Sequence, residues 1–377
     1  MDALIAMSES ETKTTKLDDG FRDNPERGLL MRCREWTDIF PWLRMTRVMR
    51  MVGSPIMLVI SAVTLLLWHQ IASWILQDDF RHQIHAHQSH VGVSGNLQVL
   101  IQWLKFAYQV NPTSILLFSE RLFSWRWLLA GLWTLTIWSI PALIMIRQGI
   151  TLTAGRGMES LTTTGSLALR RSLSAFAAVL IVLLGPILLS LGIWMVSLIH
   201  QALPVHPFLH WPCVLLLMMF SVFGGLLALA SYFVLPLSLA AVVTESHPDP
   251  IDAASRGFES CLRRPLRLMG YLLLLAFLLI TVFLIASGTS WCGERLIRVA
   301  LDGVQSENDL LLKNVVVGLR LLPSAWMVTL FWGSVGSFYL LLRRDACEQE
   351  IEDIWIPQSG NTVSLPSLGT TESGELQ

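Results

Sequence analysis

Charged residues are scarce in this sequence and are missing altogether from six long stretches. Asp, Glu, Lys and Arg make up 15% of its 377 residues, against about a quarter of an ordinary soluble domain. The uncharged stretches are residues 56–75, 127–146, 173–199, 213–243, 268–288 and 322–342. Each reaches the ~20 residues with which a helix crosses ~30 Å of hydrocarbon, and a helix satisfies its own backbone polar groups inside lipid. The chain is therefore predicted to be an all-α, polytopic transmembrane helix bundle of six spans.

The motifs of several function classes are absent as well. The 5 cysteines stand singly, without the C-x-x-C spacing of a metal site and without the pattern of a disulfide framework. The sequence has no G-x-S-x-G elbow, no H-E-x-x-H pair and no glycine-rich phosphate loop followed by Lys-Ser or Lys-Thr. No motif indicates nucleic acid, a nucleotide or an organic cofactor. We therefore predict no catalytic residue and no cofactor.

The distribution of positive charge predicts the orientation. Nineteen of the 27 Lys and Arg residues precede the first span or lie in the second connection, the fourth connection and the tail, whereas the alternate connections hold eight. Loops rich in Lys and Arg remain on the cytoplasmic side. Both termini are thus expected to be cytoplasmic, in a multi-pass protein of a bacterial inner membrane.

Composition divides the chain into four parts. Residues 1–28 are polar and are expected to form a disordered cytoplasmic N-terminus. Residues 29–50 mix arginine with Trp and Phe, which is typical of a juxtamembrane helix at the headgroups; a docking site for an acidic partner is the alternative. The transmembrane domain covers residues 51–345, and residues 346–377 are expected to form a disordered cytoplasmic tail.

The two long external loops carry apolar residues at helical spacing. Residues 97–108 and 115–123 show this pattern in the first loop, and residues 310–321 show it in the last, just before Pro323. The spacing predicts interfacial amphipathic helices that pack on the bundle or on the outer leaflet.

The longest uncharged run is predicted to be one span, although it has 31 residues. It is too short for two spans and a turn, and it joins a loop without arginine to one with several, which requires an odd number of crossings. One helix, tilted or kinked at Pro236, meets both conditions. Pro141 and Pro186 also fall inside spans, where neighbouring helices can satisfy the carbonyls that proline leaves free.

The two connections richest in arginine resemble each other. Glu159 stands eleven residues before Arg170 and Arg171, and Asp252 stands eleven before Arg263 and Arg264. The connections are either copies, which would make spans two-three and four-five parallel repeats, or independent solutions to the same need for a capped helix with arginines at lipid phosphates. In both cases these arginines are predicted to contact anionic headgroups on the cytoplasmic side.

The second connection carries the clearer helix signals. Asp249 is placed to cap, Pro250 takes the first helical position, and residues further on form an apolar stripe. The stripe consists of Ile251, Ala254, Phe258, Cys261 and Leu262.

Three segments near the predicted cytoplasmic face form a recognisable set: residues 37–44 (TDIFPWLR), Glu245 with residues 252–256 (DAASR) and 264–265 (RP), and residues 339–344 (YLLLRR) with 352–355 (EDIW). Together they resemble a family of six-span bacterial membrane proteins of planctomycete type. The connections are also loosely similar to the membrane domain fused to some glycerophosphodiester phosphodiesterases. The first connection departs from the pattern, because Gly155 and a run of three threonines stand where a more charged helix is typical. The resemblance implies a six-span helical fold and brings no activity with it.

Histidines collect on the predicted external side. Four lie in the first loop, at His82, His85, His87 and His90, and four more are distributed among His69, His200, His206 and His210. The first-loop cluster is the candidate metal site for zinc or copper. A solvated loop is the competing interpretation, and a pH-responsive surface is a third, because imidazole titrates near neutrality.

Function is predicted mainly by elimination. The uncharged spans offer no ionisable residue for a proton relay, which disfavours coupled transport but leaves a passive or lipid-like transporter as an alternative. A membrane-embedded lipid-modifying enzyme is a second alternative. The favoured hypothesis is a non-catalytic integral membrane protein that organises or assists envelope components, with membrane lipids and a membrane or envelope protein as partners.

Overall fold

The computed structural model describes residues 40–76, 125–202, 207–246, 249–301, 309–347, 351 and 354–355. Within these residues the protein is helical and has no strand. The predictions for the first external loop, for residues 1–28 and for most of the tail lie outside the described residues.

A 3₁₀ helix, Pro41–Val48, leads into eight α-helices in the described residues. The first seven are α1, Met49–Val52; α2, Pro55–Leu76; α3, Trp125–Thr153; α4, Leu161–Ala202; α5, Pro207–Thr244; α6, Pro250–Arg263; and α7, Pro265–Leu301. An eighth, α8, covers Asp309–Cys347. Five of them, α3, α4, α5, α7 and α8, are long and apolar enough to cross a membrane. The pair formed by residues 41–52 and 55–71 passes the same test together but is bent by 77° at Gly53 and Ser54. The protein is therefore a multi-pass membrane protein, and its described residues are all helical and include five to six candidate spans.

The core is built around α8. Its apolar face is buried by α2 and α3 on one side and by α7 on another, and α5 joins it at its end. Trp332 and Tyr339 of α8 are almost fully buried. In contrast, α4 and α5 each contact the other more than any other helix, and the first half of α5 exposes large apolar side chains such as Met218 and Phe223. An apolar face of this kind is what contact with lipid requires.

Glycines allow a very close contact between α3 and α8. A Cβ atom on Gly149 would lie 1.9 Å from the carbonyl oxygen of Gly333, and one on Gly336 would lie 2.5 Å from the carbonyl oxygen of Ile146. Small residues allow helix backbones to approach this closely. Gly225, in the small-residue stretch of α5, has no atom within 4 Å of such a Cβ.

Prolines lie inside α3, α4, α5 and α8 without ending them. Pro323 cannot donate to the carbonyl of Leu319, four residues earlier, and the Ser290 hydroxyl of α7 donates to that oxygen at 2.7 Å. As predicted, residues 213–243 belong to a single helix, with Pro236 inside it. Residues 310–321 were expected to form a separate interfacial helix, but they are the first turns of α8, because this bond repairs the break that Pro323 would otherwise cause.

The two similar connections fold differently. In the second, α6 ends at Arg263 and Arg264 leaves the helical region, with φ −138° and ψ 62°, because the residue before a proline is hindered from helical angles. In the first, Ser172 stands at the place of Pro265, and α4 continues without a break. One proline therefore accounts for the extra helix.

The start of α6 is as predicted, whereas its apolar stripe is only partly buried. The Asp249 carboxylate accepts a hydrogen bond from the Ile251 amide at 3.0 Å, and Pro250 is the first helical residue. Of the predicted stripe, Ala254 and Cys261 are buried, but Ile251 and Leu262 are each 68% exposed. The buried residues are small, because α6 lies close to α5: Ala253, Ala254, Gly257, Ser260 and Cys261. A Cβ on Gly257 would be 3.0 Å from the carbonyl oxygen of Val234.

Candidate functional site: a polar network at the basic end of the bundle

One end of the bundle, called the basic end below, collects most of the described charged residues. It is formed by the end of α3, the start of α4, the end of α5, α6, the start of α7 and the end of α8. The sequence places these ends together because successive long helices are antiparallel and short connections join them.

Arg147 is a fully buried charge within α3. The span was predicted to end at Ile146, but α3 continues to Thr153 and takes Arg147 and Gln148 into the protein interior. The Arg147 guanidinium donates from Nη2 to Glu159 Oε1 at 2.8 Å and from Nε to Glu159 Oε2 at 3.2 Å. This two-point pairing is the strong geometry for arginine and a carboxylate. It offsets the desolvation that a buried charge suffers.

Gln148 fixes the loop that carries Glu159. Its Nε2 donates to the carbonyl oxygen of Glu159 at 2.8 Å, and its Oε1 accepts from the Glu159 amide at 3.1 Å. The loop returns toward α3 through Gly155, whose φ of 81° is readily adopted only by glycine. Two hydrogen bonds between the Gln148 side chain and the Glu159 backbone thus hold Glu159 in place for Arg147.

Arg171 caps the carbonyl end of α5. Its Nη1 donates to the carbonyl oxygens of Val242, at 2.6 Å, and Glu245, at 2.5 Å. The last carbonyls of a helix lack partners within the helix, and a guanidinium is suited to satisfy them. The guanidinium carbon also lies 4.4 Å from the ring centroid of Trp355, near the end of the described chain. Arg171 therefore joins α4, α5 and the C-terminal segment.

Glu245 connects α5, α6 and α8. Its carboxylate accepts from Arg256 and, at 3.4 Å, from the Tyr339 hydroxyl, and Arg256 also pairs with Asp252 at 2.9 Å. Burial acts to lower the pKa of Arg256, but the nearby carboxylates outweigh it and raise that pKa. Arg256 is therefore positively charged at any physiological pH.

Asp345 makes the corresponding connection between α7 and α8. Its Oδ1 pairs with Arg267 Nη1 at 2.5 Å, and its Oδ2 accepts from the Tyr271 hydroxyl at 3.1 Å. Polar contacts thus connect all the helices from α3 to α8 at the basic end. In this network, arginine and carboxylate side chains neutralise one another, and their contacts fix the relative positions of the helix ends.

The four arginines predicted to meet lipid phosphates divide into two groups. Arg170, Arg263 and Arg264 are exposed, and Arg263 also pairs with Glu259 at 2.7 Å. Arg171 is 4% exposed and is engaged by protein carbonyls and Trp355. Three of the four arginines are thus on the protein surface, whereas Arg171 belongs to the buried polar network.

Sequence reasoning missed the pairing of Arg147 with Glu159. It closed the span at the first charged residue, although helical periodicity continues through Gln148, Thr151 and Thr153, all of which are fully buried. The sequence does carry a signal for an internal ion pair. Polar residues continue the helical pattern past the apolar stretch, and a single acidic residue, Glu159, follows in a short loop.

The predicted metal ligands His82, His85, His87 and His90 lie outside the described residues. Within the described part of the chain, no group of three or more His, Cys, Asp or Glu side chains is arranged to hold a metal ion. The rings of His200, at the end of α4, and His210, at the start of α5, are brought together, with centroids 5.3 Å apart.

A small apolar cavity lies between α3, α4, α5 and α8. Its volume is about 20 Å³, and Trp138, Phe176, Leu239 and Trp332 are among the residues that line it. This is close to the minimum space for one water molecule.

No known protein family, no curated protein and no solved structure matches this chain. The resemblance to planctomycete-type membrane proteins therefore stays a prediction.

Proposed function

We propose that the chain is a six-span, non-catalytic protein of a bacterial inner membrane that organises or assists envelope components through its basic end. In this scheme the basic end and both termini are cytoplasmic. The orientation follows the excess of Lys and Arg in the connections at that end.

The sixth span is α2 together with the bent segment before it. With 22 residues, α2 is about 33 Å long, enough for the ~30 Å hydrocarbon layer. The 77° bend then lets residues 41–52 run along the membrane boundary. Their buried side, with Met45, Val48 and Met51, packs against the bundle, while Phe40 and Trp42 are exposed.

The observation that carries the functional proposal is the division of the arginines at the basic end. Arg147 and Arg171 are buried and paired within the protein, which makes a rigid base. Arg170, Arg264 and Arg263 are exposed around that base. Near an anionic leaflet each exposed arginine contributes roughly 1 kcal/mol of attraction. A rigid framework with arginines on its surface suits binding of anionic headgroups, or of a partner that approaches the membrane.

Lipid binding is tested by native mass spectrometry of the full chain released from detergent with bound phosphatidylglycerol. Replacing Arg170, Arg263 and Arg264 by Gln together should reduce the number of retained phosphatidylglycerol molecules. The matched control is Arg295→Gln, which removes an exposed arginine at the opposite end and should leave retention as in the wild type. Equal retention by the triple variant and the control would contradict the role of the basic end.

Three further assays distinguish partner binding from the transporter and enzyme alternatives. Purification in a mild detergent should retain a membrane or envelope protein, and that protein should be lost in the triple variant. Solute or lipid flux in proteoliposomes would instead support the transporter. Turnover of lipid phosphodiesters would support the enzyme.

A further inference from the structure

Two histidines meet at the end of the bundle opposite the basic end. His200 lies in the last turn of α4 and His210 in the first turns of α5, with residues 203–206 between the two helices. Their imidazole centroids are 5.3 Å apart and the ring planes are inclined by 47°. His210 is exposed and His200 is half-buried, so the pair is accessible from solvent.

This separation is compatible with two imidazoles that bind one metal ion. A zinc–nitrogen bond is about 2.0–2.1 Å long and a ring nitrogen lies about 1.1 Å from its centroid, so the metal is about 3.2 Å from each centroid; at the tetrahedral angle the two centroids are then about 5.2 Å apart. The observed 5.3 Å agrees with this value.

We propose that His200 and His210 form a two-imidazole site for a first-row divalent metal ion, Zn²⁺ or Cu²⁺. The exposure of His210 leaves room for water to complete the coordination shell. Imidazole nitrogen suits both metals, and Cu²⁺ is bound more tightly than Zn²⁺ by the same ligands. With two protein ligands the site binds and releases its metal readily, unlike the closed four-ligand sites of structural zinc.

Metal binding there would join the ends of α4 and α5. Each of these two helices contacts the other more than any other helix, and the first half of α5 exposes its apolar side chains. A ligand that binds only the folded arrangement raises the unfolding temperature as its concentration rises. The site thus acts as a removable clamp on this helix pair, independent of the basic end.

The test uses the full chain in detergent, in a background where His82, His85, His87 and His90 are all replaced by Gln. This background removes the imidazoles of the first loop, and His206 is kept in every variant. Cu²⁺ is added and followed by electron paramagnetic resonance, and Zn²⁺ is added and followed by the unfolding temperature. We expect one Cu²⁺ per chain with nitrogen hyperfine structure, and an unfolding temperature that rises with Zn²⁺.

The variants His200→Ala and His210→Ala should each lose the nitrogen signal of this site and weaken binding by tenfold or more. His69→Ala, which alters a histidine of α2, should keep both. Unfolding temperatures measured with EDTA show that each variant is folded before metal is added.

The proposal is overturned if either His200→Ala or His210→Ala binds Cu²⁺ with the same affinity and the same spectrum as the background protein. It is also overturned if Zn²⁺ leaves the unfolding temperature of the background protein unchanged.

Discussion

Replacing Gly149 by Ala should force α3 and α8 apart. The new Cβ would lie 1.9 Å from the carbonyl oxygen of Gly333 and 2.7 Å from its carbonyl carbon. Both atoms belong to the backbone, so no change of rotamer can relieve the overlap. The helices must separate by roughly 1 Å, which also loosens the hydrogen bond of 2.5 Å between Thr153 and Ser337.

The magnitude follows from two opposing terms. Overpacking of a well-packed contact costs about 1–3 kcal/mol, and a backbone-to-backbone overlap belongs at the upper end. Alanine in place of helical glycine returns about 0.5–1 kcal/mol. We therefore expect Gly149→Ala to lower the free energy of unfolding by about 2 kcal/mol.

Gly131→Ala is the matched control, because Gly131 lies on the same helix and has no atom within 4 Å of its added Cβ. It should be neutral or stabilising by up to about 1 kcal/mol. The assay is unfolding by SDS in mixed micelles, followed by circular dichroism at about 222 nm. The reasoning is refuted if Gly149→Ala and Gly131→Ala unfold at the same SDS fraction.

Two further predictions test the topology and the C-terminal contact. A variant that keeps only Cys292, which is exposed, should react with a membrane-impermeant maleimide on intact spheroplasts. A variant that keeps only Cys261 should remain unlabelled even after lysis, because burial raises the pKa of its thiol and leaves less thiolate to react. Labelling of Cys292 only after lysis would reverse the proposed orientation. Trp355→Ala removes the ring that the Arg171 guanidinium contacts and should lower the free energy of unfolding by about 1–2 kcal/mol. Trp355→Phe keeps an aromatic ring and should therefore lose less of this stability. Equal SDS unfolding midpoints for Trp355→Ala and the wild type would contradict this contact.

The long helices could be predicted from the sequence because lipid excludes charge over a fixed thickness. Each uncharged stretch lies inside a described helix, and residues 213–243 form one helix as their length and flanking loops required. The helix ends could not be predicted in the same way. A helix continues past the hydrocarbon wherever its polar side chains find partners, as α3 does at Arg147 through Glu159.

The buried face of α6 shows a second limit. The apolar stripe predicted on α6 includes Ile251 and Leu262, which are exposed, because the close approach of α6 to α5 requires small side chains and a glycine and a serine are among the residues buried there. Hydrophobicity scales rank these residues low because they measure transfer from water and not the space between two backbones. The Asp249 cap could be predicted, because it depends only on residues adjacent in the chain.

Several contacts of the polar network could not be predicted from the sequence, because they join residues that are distant along the chain. Tyr339 and Glu245 are 94 positions apart, and Arg171 and Glu245 are 74 apart.

The polar network also depends on the glycine contact between α3 and α8. Gly149 lies two residues after Arg147, and its contact with Gly333 fixes the position of α3 against α8. That position decides whether the buried Arg147 guanidinium reaches Glu159. Dense packing around the pair keeps water away and strengthens the electrostatic attraction. The order of the basic end is therefore a consequence of helix packing, and the exposed arginines are held in place by contacts that lie beneath them.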